Sequence, residues 1–168
     1  MAAPIYSEQE VRKMLEMGKF VDWNAWEEKQ PGRALIEGSV AIKATSESPE
    51  FEFMIEVYGE RDLGACHVLL KGRITPRPFE GLARYDIQDT VHENPDWSGG
   101  ALIEPQIPHR HFYNERALRS EDNWGAIAEP LTLKKNSPNV LLGTFLKDLN
   151  ISFSDSQTHN SMFDWVNK

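Results

Sequence analysis

Leu82-Ala83-Arg84-Tyr85-Asp86-Ile87 and, further on, Pro108-His109-Arg110-His111-Phe112-Tyr113 are the stretches that decide how this chain is read. Both suit extended backbone, in which successive side chains leave opposite faces and residues two apart share one. Arg84 and Asp86 then share a face, with Tyr85 and Ile87 on the other. By the same parity His109, His111 and Tyr113 project together, while Arg110 and Phe112 point away. Between the two runs lie His92-x-Asn94-Pro95-Asp96 and Ser98-Gly99-Gly100, residues that favour turns. Residues 88–104 therefore read as an irregular loop, of a length that usually serves function or moves.

Upstream, three runs have strand character: 34–43, 51–58 and 65–73. The middle one alternates most cleanly, with Phe51, Phe53, Ile55 and Val57 on one face and Glu52, Met54, Glu56 and Tyr58 on the other. The breaks at Ser46–Pro49 and Gly59–Asp62 look like turns of an antiparallel meander. Pro76 and Pro78 lack a ladder donor, which makes 74–78 a connector into a fourth strand at 82–87. Residues 106–114 read as a fifth.

Helices bracket these strands. Ser7 and Glu10 form a capping-box pattern, and Val11, Met14 and Leu15 fall on one stripe, predicting a helix over 8–18. Ser137-Pro138 is a helix start, with Val140, Leu141, Phe145, Leu146 and Leu149 as the apolar face over 138–149. Phe20, Val21, Trp23 and Trp26 read as core packing before a turn at Gln30-Pro31-Gly32, and Met162, Phe163, Trp165 and Val166 as a short docking tail. The expectation is an α+β fold in one domain spanning 1–168. An antiparallel sheet of about five strands carries an N-terminal and a C-terminal helix.

Composition narrows the function. The 168 residues carry a formal net charge of −8, which opposes nucleic-acid binding by counterion release alone and suits a basic protein partner. Cys66 is the only cysteine, so neither an internal disulfide nor a cysteine-rich zinc site is available. There is no basic, apolar leader and no apolar run of the ~20 residues a membrane span needs. A cytoplasmic protein without a membrane partner is the simplest expectation.

Three of the five histidines fall between positions 92 and 111, and two chemistries suit them. Imidazoles two apart on a strand can hold zinc or another divalent metal, with His92 or Asp96, or Asp86, as a further ligand and a position left for water. Alternatively His109 and His111 act as general base and acid on an RNA 2′-hydroxyl and its leaving oxygen. Arg84 then stabilises phosphate charge, Asp86 orients one imidazole, and Tyr113 orients phosphate or donates a proton. The competing reading is structural: His67 and His159 as hydrogen-bonded residues, Asp96 as a cap for the turn at Pro95, Asp86 as a partner of Arg84, and Trp97 and Trp124 as packing.

Arg84-x-Asp86, His92-x-Asn94-Pro95-Asp96, Pro108-His109-x-His111-x-Tyr113-x-Glu115 and Trp124 together resemble a family of small prokaryotic proteins with that order of motifs. More distantly, Arg84-Tyr85-Asp86, His92 and Pro108-His109-Arg110-His111 resemble TumE-type toxins of toxin–antitoxin pairs. The longer loop 97–107 and the segment Arg119–Asn123 depart from that pattern. The resemblance implies a growth-inhibiting, histidine-dependent hydrolase or nuclease, with RNA as substrate and an antitoxin as protein partner. The rivals are a non-enzymatic phage- or defence-related binding protein with an acidic interaction surface, and a metal-binding protein without turnover.

Overall fold

A computed structural model describes residues 4–21, 38–60 and 65–153. Expectations for Trp23, Trp26, the turn at Gln30-Pro31-Gly32, the strand start at 34–37, His159 and the tail lie outside those residues. The elements run α1 (Glu8–Glu16), β1 (Lys19–Val21), β2 (Gly38–Ala44), β3 (Phe51–Glu60), β4 (Ala65–Ile74), β5 (Glu80–Ile87) and β6 (His92–Glu93). A 3-10 turn (Asp96–Ser98) leads to β7 (Leu102–Ile103), β8 (His109–Phe112), α2 (Glu115–Arg119), β9 (Ala128–Pro130), α3 (Pro138–Asp148) and β10 (Ile151–Phe153).

The fold is α+β around a six-stranded antiparallel sheet ordered β2-β3-β4-β5-β8-β9. The five expected strands are β2–β5 and β8, and a sixth, β9, extends the edge. Short parallel β1 and β10 pair the two ends of the described chain. No described helix is long and apolar enough to cross a membrane.

The sheet has one greasy face and one polar face. Phe53, Ile55 and Val57 on β3, Cys66, Val68 and Leu70 on β4, and Ala83, Tyr85 and Ile87 on β5 are buried together. The helices cover that face. Ser7 caps α1 through the reciprocal Glu10 box, and Val11 and Met14 turn inward. Ser137 and Pro138 open α3, whose Leu141, Leu142, Phe145 and Leu146 are buried. The Phe145 ring meets Tyr85 edge-on at 5.3 Å between centroids. Each such side chain stabilises the fold by about 1.5–3 kcal/mol through burial.

Across β3 and β4 the opposite face is a ladder of ion pairs, Lys71–Glu56 at 2.8 Å and Arg73–Glu52 at 2.7 Å. At β5 and β8 the same face is covered instead, and there the histidines gather. Residues 88–104 are not irregular throughout: β6 and β7 form a small antiparallel hairpin, with His92 opposite Ile103.

Candidate metal centre

Strand register builds the cluster. His67 lies opposite Asp86 between β4 and β5, while Arg84 lies opposite His111 and Asp86 opposite His109 between β5 and β8. Cross-strand partners share a face, so all five side chains meet on the face turned away from α1 and α3. Arg110 and Phe112 point to the helix side, as parity requires, where Phe112 meets Tyr85 at 6.3 Å between ring centroids.

The third histidine arrives from the β6–β7 hairpin, held down by Asn94. Asn94 is buried and doubly bonded to the Ala128 backbone of β9: its Nδ2 donates to the carbonyl at 3.0 Å and its Oδ1 accepts from the N–H at 2.8 Å. That fixes the amide orientation and leaves Oδ1 facing His92 Nε2 at 3.1 Å, beside the Ala126 carbonyl at 3.1 Å. The turn at 123–126 is anchored in its own way. Trp124 lies over Gly81, where a Cβ would meet its ring at 2.1 Å, so only glycine admits this contact. With Trp124 seated, Gly125 and Ala126 present their carbonyls to His111 and His92.

Each imidazole therefore has one nitrogen committed to an oxygen that can only accept. His109 Nδ1 donates to the Ile107 carbonyl at 2.9 Å, His111 Nδ1 to the Gly125 carbonyl at 2.5 Å, and His92 Nε2 to Asn94 and Ala126. In the neutral ring the other nitrogen carries a lone pair. Carbonyl-oriented imidazoles of this kind are the usual supports of metal-binding histidines. His109 Nε2 is buried and has no hydrogen-bond partner, an orphan acceptor that fits a cation.

One ring nitrogen from each of His92, His109 and His111 lies within 4.8 Å of the others. Tetrahedral zinc, with Zn–N near ~2.0–2.1 Å, draws nitrogens to about 3.3 Å apart, so closure needs side-chain adjustment on the order of 1 Å. The three residues fit such a group.

Asp86 sits behind them with no exposure. Its Oδ1 contacts His67 Nδ1 at 2.8 Å, and its Oδ2 contacts Arg84 Nε at 2.7 Å, His111 Nε2 at 3.0 Å and His109 Nε2 at 3.7 Å. Burial alone raises its pKa, but the groups around it, the His67 hydrogen bond and the Arg84 charge among them, outweigh it and hold the carboxyl well below the usual carboxylate range. Burial lowers the pKa of His92, reinforced by the neighbouring His111, and lowers that of His109 against a smaller opposing pull from the Ile107 carbonyl and Asp86.

These shifts set a pH dependence. His92 and His109 have folded pKa values below the ordinary 6.5, so the unfolded chain binds more protons in that region. Their contribution is fully present above about 6.5 and is lost as pH falls toward the folded values. Urea midpoints of the metal-free protein should therefore fall as pH drops from about 7 to 5, with the slope reduced in His92→Gln. A flat profile across that range would contradict the shifts.

Outside the cluster, an acidic cleft of about 400 Å³ has His92, Glu93, Asp96, Asp122 and Asn123 among its walls. Asp96 lies exposed on this cleft and is not in the three-histidine group. Tyr113 is also not brought in: its hydroxyl donates to the Tyr6 carbonyl at 2.5 Å beside the N-terminal segment. Trp97 is tied to the cleft rim, its Nε1 donating to Asp122 at 2.8 Å. His67, read as a structural residue, bonds the carboxylate behind the histidines. In sequence Asn94 reads only as a turn residue within H-x-N-P-D, with nothing to mark its amide as the support of His92, and Gly125 carries no signal.

Compared with protein-family models, curated proteins and solved structures, the chain gives no significant match.

Proposed function

We propose that the protein is a metal-dependent hydrolase whose divalent ion, zinc in the simplest case, is held by His92, His109 and His111. The observation that carries this reading is the orphan Nε2 of His109, buried beside two further imidazoles whose other nitrogens are also held as donors. A bound ion supplies Lewis acidity toward water or an anionic oxygen. The chain's own groups orient the ligands: Ile107 and Gly125 through their carbonyls, Asn94 through its amide, and Asp86 through charge.

Burial favours this over acid–base chemistry. His109 is 1% exposed and His111 0%, and a general acid or base must come within hydrogen-bond reach of its substrate. His92 is the one member that lines the cleft, whose carboxylates Glu93, Asp96 and Asp122 repel a polyanion. A second reading keeps RNA as substrate, in the manner of a toxin with an antitoxin partner. It is favoured by Arg84, whose guanidinium stands 3.1 Å from His111 and is 29% exposed.

The test is metal analysis of protein purified without a histidine tag, followed by zinc titration. We expect one zinc per chain in the wild type and at least ~100-fold weaker binding in His109→Ala. Hydrolysis of ester, phosphodiester and RNA substrates, with and without chelator, then separates the readings. RNA cleavage that survives complete metal removal would support acid–base chemistry, and stoichiometric zinc with no turnover would leave a metal-binding protein.

A further inference from the structure

His111 Nε2 faces two groups of opposite demand: Arg84 Nη2 at 3.1 Å, which can only donate, and Asp86 Oδ2 at 3.0 Å, which can only accept. A single nitrogen cannot meet both. Asp86 does not need the His111 proton, because His67 engages its Oδ1 at 2.8 Å and Arg84 Nε donates to its Oδ2 at 2.7 Å. A proton on Nε2 would set two donors against each other at the Arg84 contact. With Nε2 unprotonated, the Arg84 fork donates to both acceptors, Nε to Asp86 Oδ2 and Nη2 to the Nε2 lone pair, and so bridges the 3.0 Å between them. Of the two buried imidazoles, His109 thus keeps a vacant Nε2 and His111 a covered one.

We propose that Arg84 is a latch on the metal centre, its guanidinium occupying the His111 nitrogen that a divalent ion must take. This rests on the three-histidine reading and adds a regulatory contact to it. Metal binding competes with Arg84 Nη2 for one lone pair, so the ion's affinity is reduced by the free energy of that contact. The two ends of the fork have separate partners: Nε stays on Asp86 while Nη2 lets go of His111. Release of the latch leaves a donor-bearing cation next to the ion, where an anionic oxygen of a substrate would enter. Any anion bound by Arg84 would in turn tighten the metal, because the linkage is reciprocal.

The experiment measures zinc affinity by competition with a chromophoric chelator for the full chain and for Arg84→Met, Arg84→Lys and His109→Ala. Lysine keeps the charge but removes Nη2, the fork nitrogen that reaches His111 while Nε stays on Asp86. Loss of the latch should tighten zinc by about tenfold in both Arg84 variants, the scale of one hydrogen bond to a charged group. His109→Ala should lose tight binding. Tightening in Arg84→Met alone would mean simple charge repulsion and would overturn the latch, as would unchanged affinity in both Arg84 variants. In either case loss of zinc in His109→Ala leaves the three-histidine centre standing. Zinc binding that is absent throughout, or insensitive to His109→Ala, overturns the centre and the latch with it.

Discussion

Asp86→Ala should lose about 3–5 kcal/mol of folding stability, read as a lower urea midpoint at unchanged slope, because breaking a buried ion pair strands its partners. The carboxylate is wholly buried and joins three strands: His67 on β4, Arg84 on its own β5, and His109 and His111 on β8. Alanine leaves the guanidinium without its anion and His67 Nδ1 without this acceptor. The acid limb should change as well. A carboxyl held below its unfolded value of 3.8 contributes stability that is complete above that pH and is lost as pH falls through the lower folded value. Alanine removes this contribution, so the variant should lose less stability between about pH 4 and pH 2 than the wild type does. Glu129→Ala is the control. Glu129 is 61% exposed and pairs with Arg110 at 3.4 Å, and such surface pairs are worth about 0–1 kcal/mol. Equal losses in the two variants would mean that Asp86 is no keystone.

Lys19→Met should cost about 2–4 kcal/mol, because methionine keeps the apolar stem and removes every donor. The Lys19 ammonium is fully buried and donates to the carbonyls of Leu15, Met17 and Leu149 at 3.0, 2.8 and 2.8 Å. Two of these oxygens close the end of α1 and the third closes the end of α3. The negative ends of two helix dipoles thus converge on one cation. Burial draws the ammonium down to about 8, so it still carries its charge at neutral pH. The variant loses three bonds and leaves three acceptors dry, against the smaller gain of not burying a charge. A thermal midpoint equal to the wild type's would show that water reaches those carbonyls.

Local patterns foretold local structure. The alternation at 51–58 became β3, the Ser7–Glu10 box capped α1, and Ser137-Pro138 opened α3. Parity placed Arg84 and Asp86 on one face and His109 with His111 likewise, and antiparallel register then brought the two pairs together. What escaped was fixed by distant partners. β9 is three residues long and ends at Pro130, too short for any period to show. The hairpin at His92 has two residues in each strand and depends on Asn94 reaching Ala128. His67 looked isolated because its partner lies nineteen positions away, across a register that only the folded sheet defines. Tyr113 followed the parity of its neighbours, but the strand ends at Phe112 and its side chain turns toward Tyr6.

His92 rides on a tiny hairpin, whereas His109 and His111 belong to the central sheet. Two-stranded ribbons of that size have no independent stability in water. An ion shared between positions 92 and 109 would tie the hairpin to the sheet, and because only the folded arrangement brings those ligands together, its binding free energy would add to folding stability. In a chain with one cysteine, the histidines would then be its means of stapling a loop to the sheet.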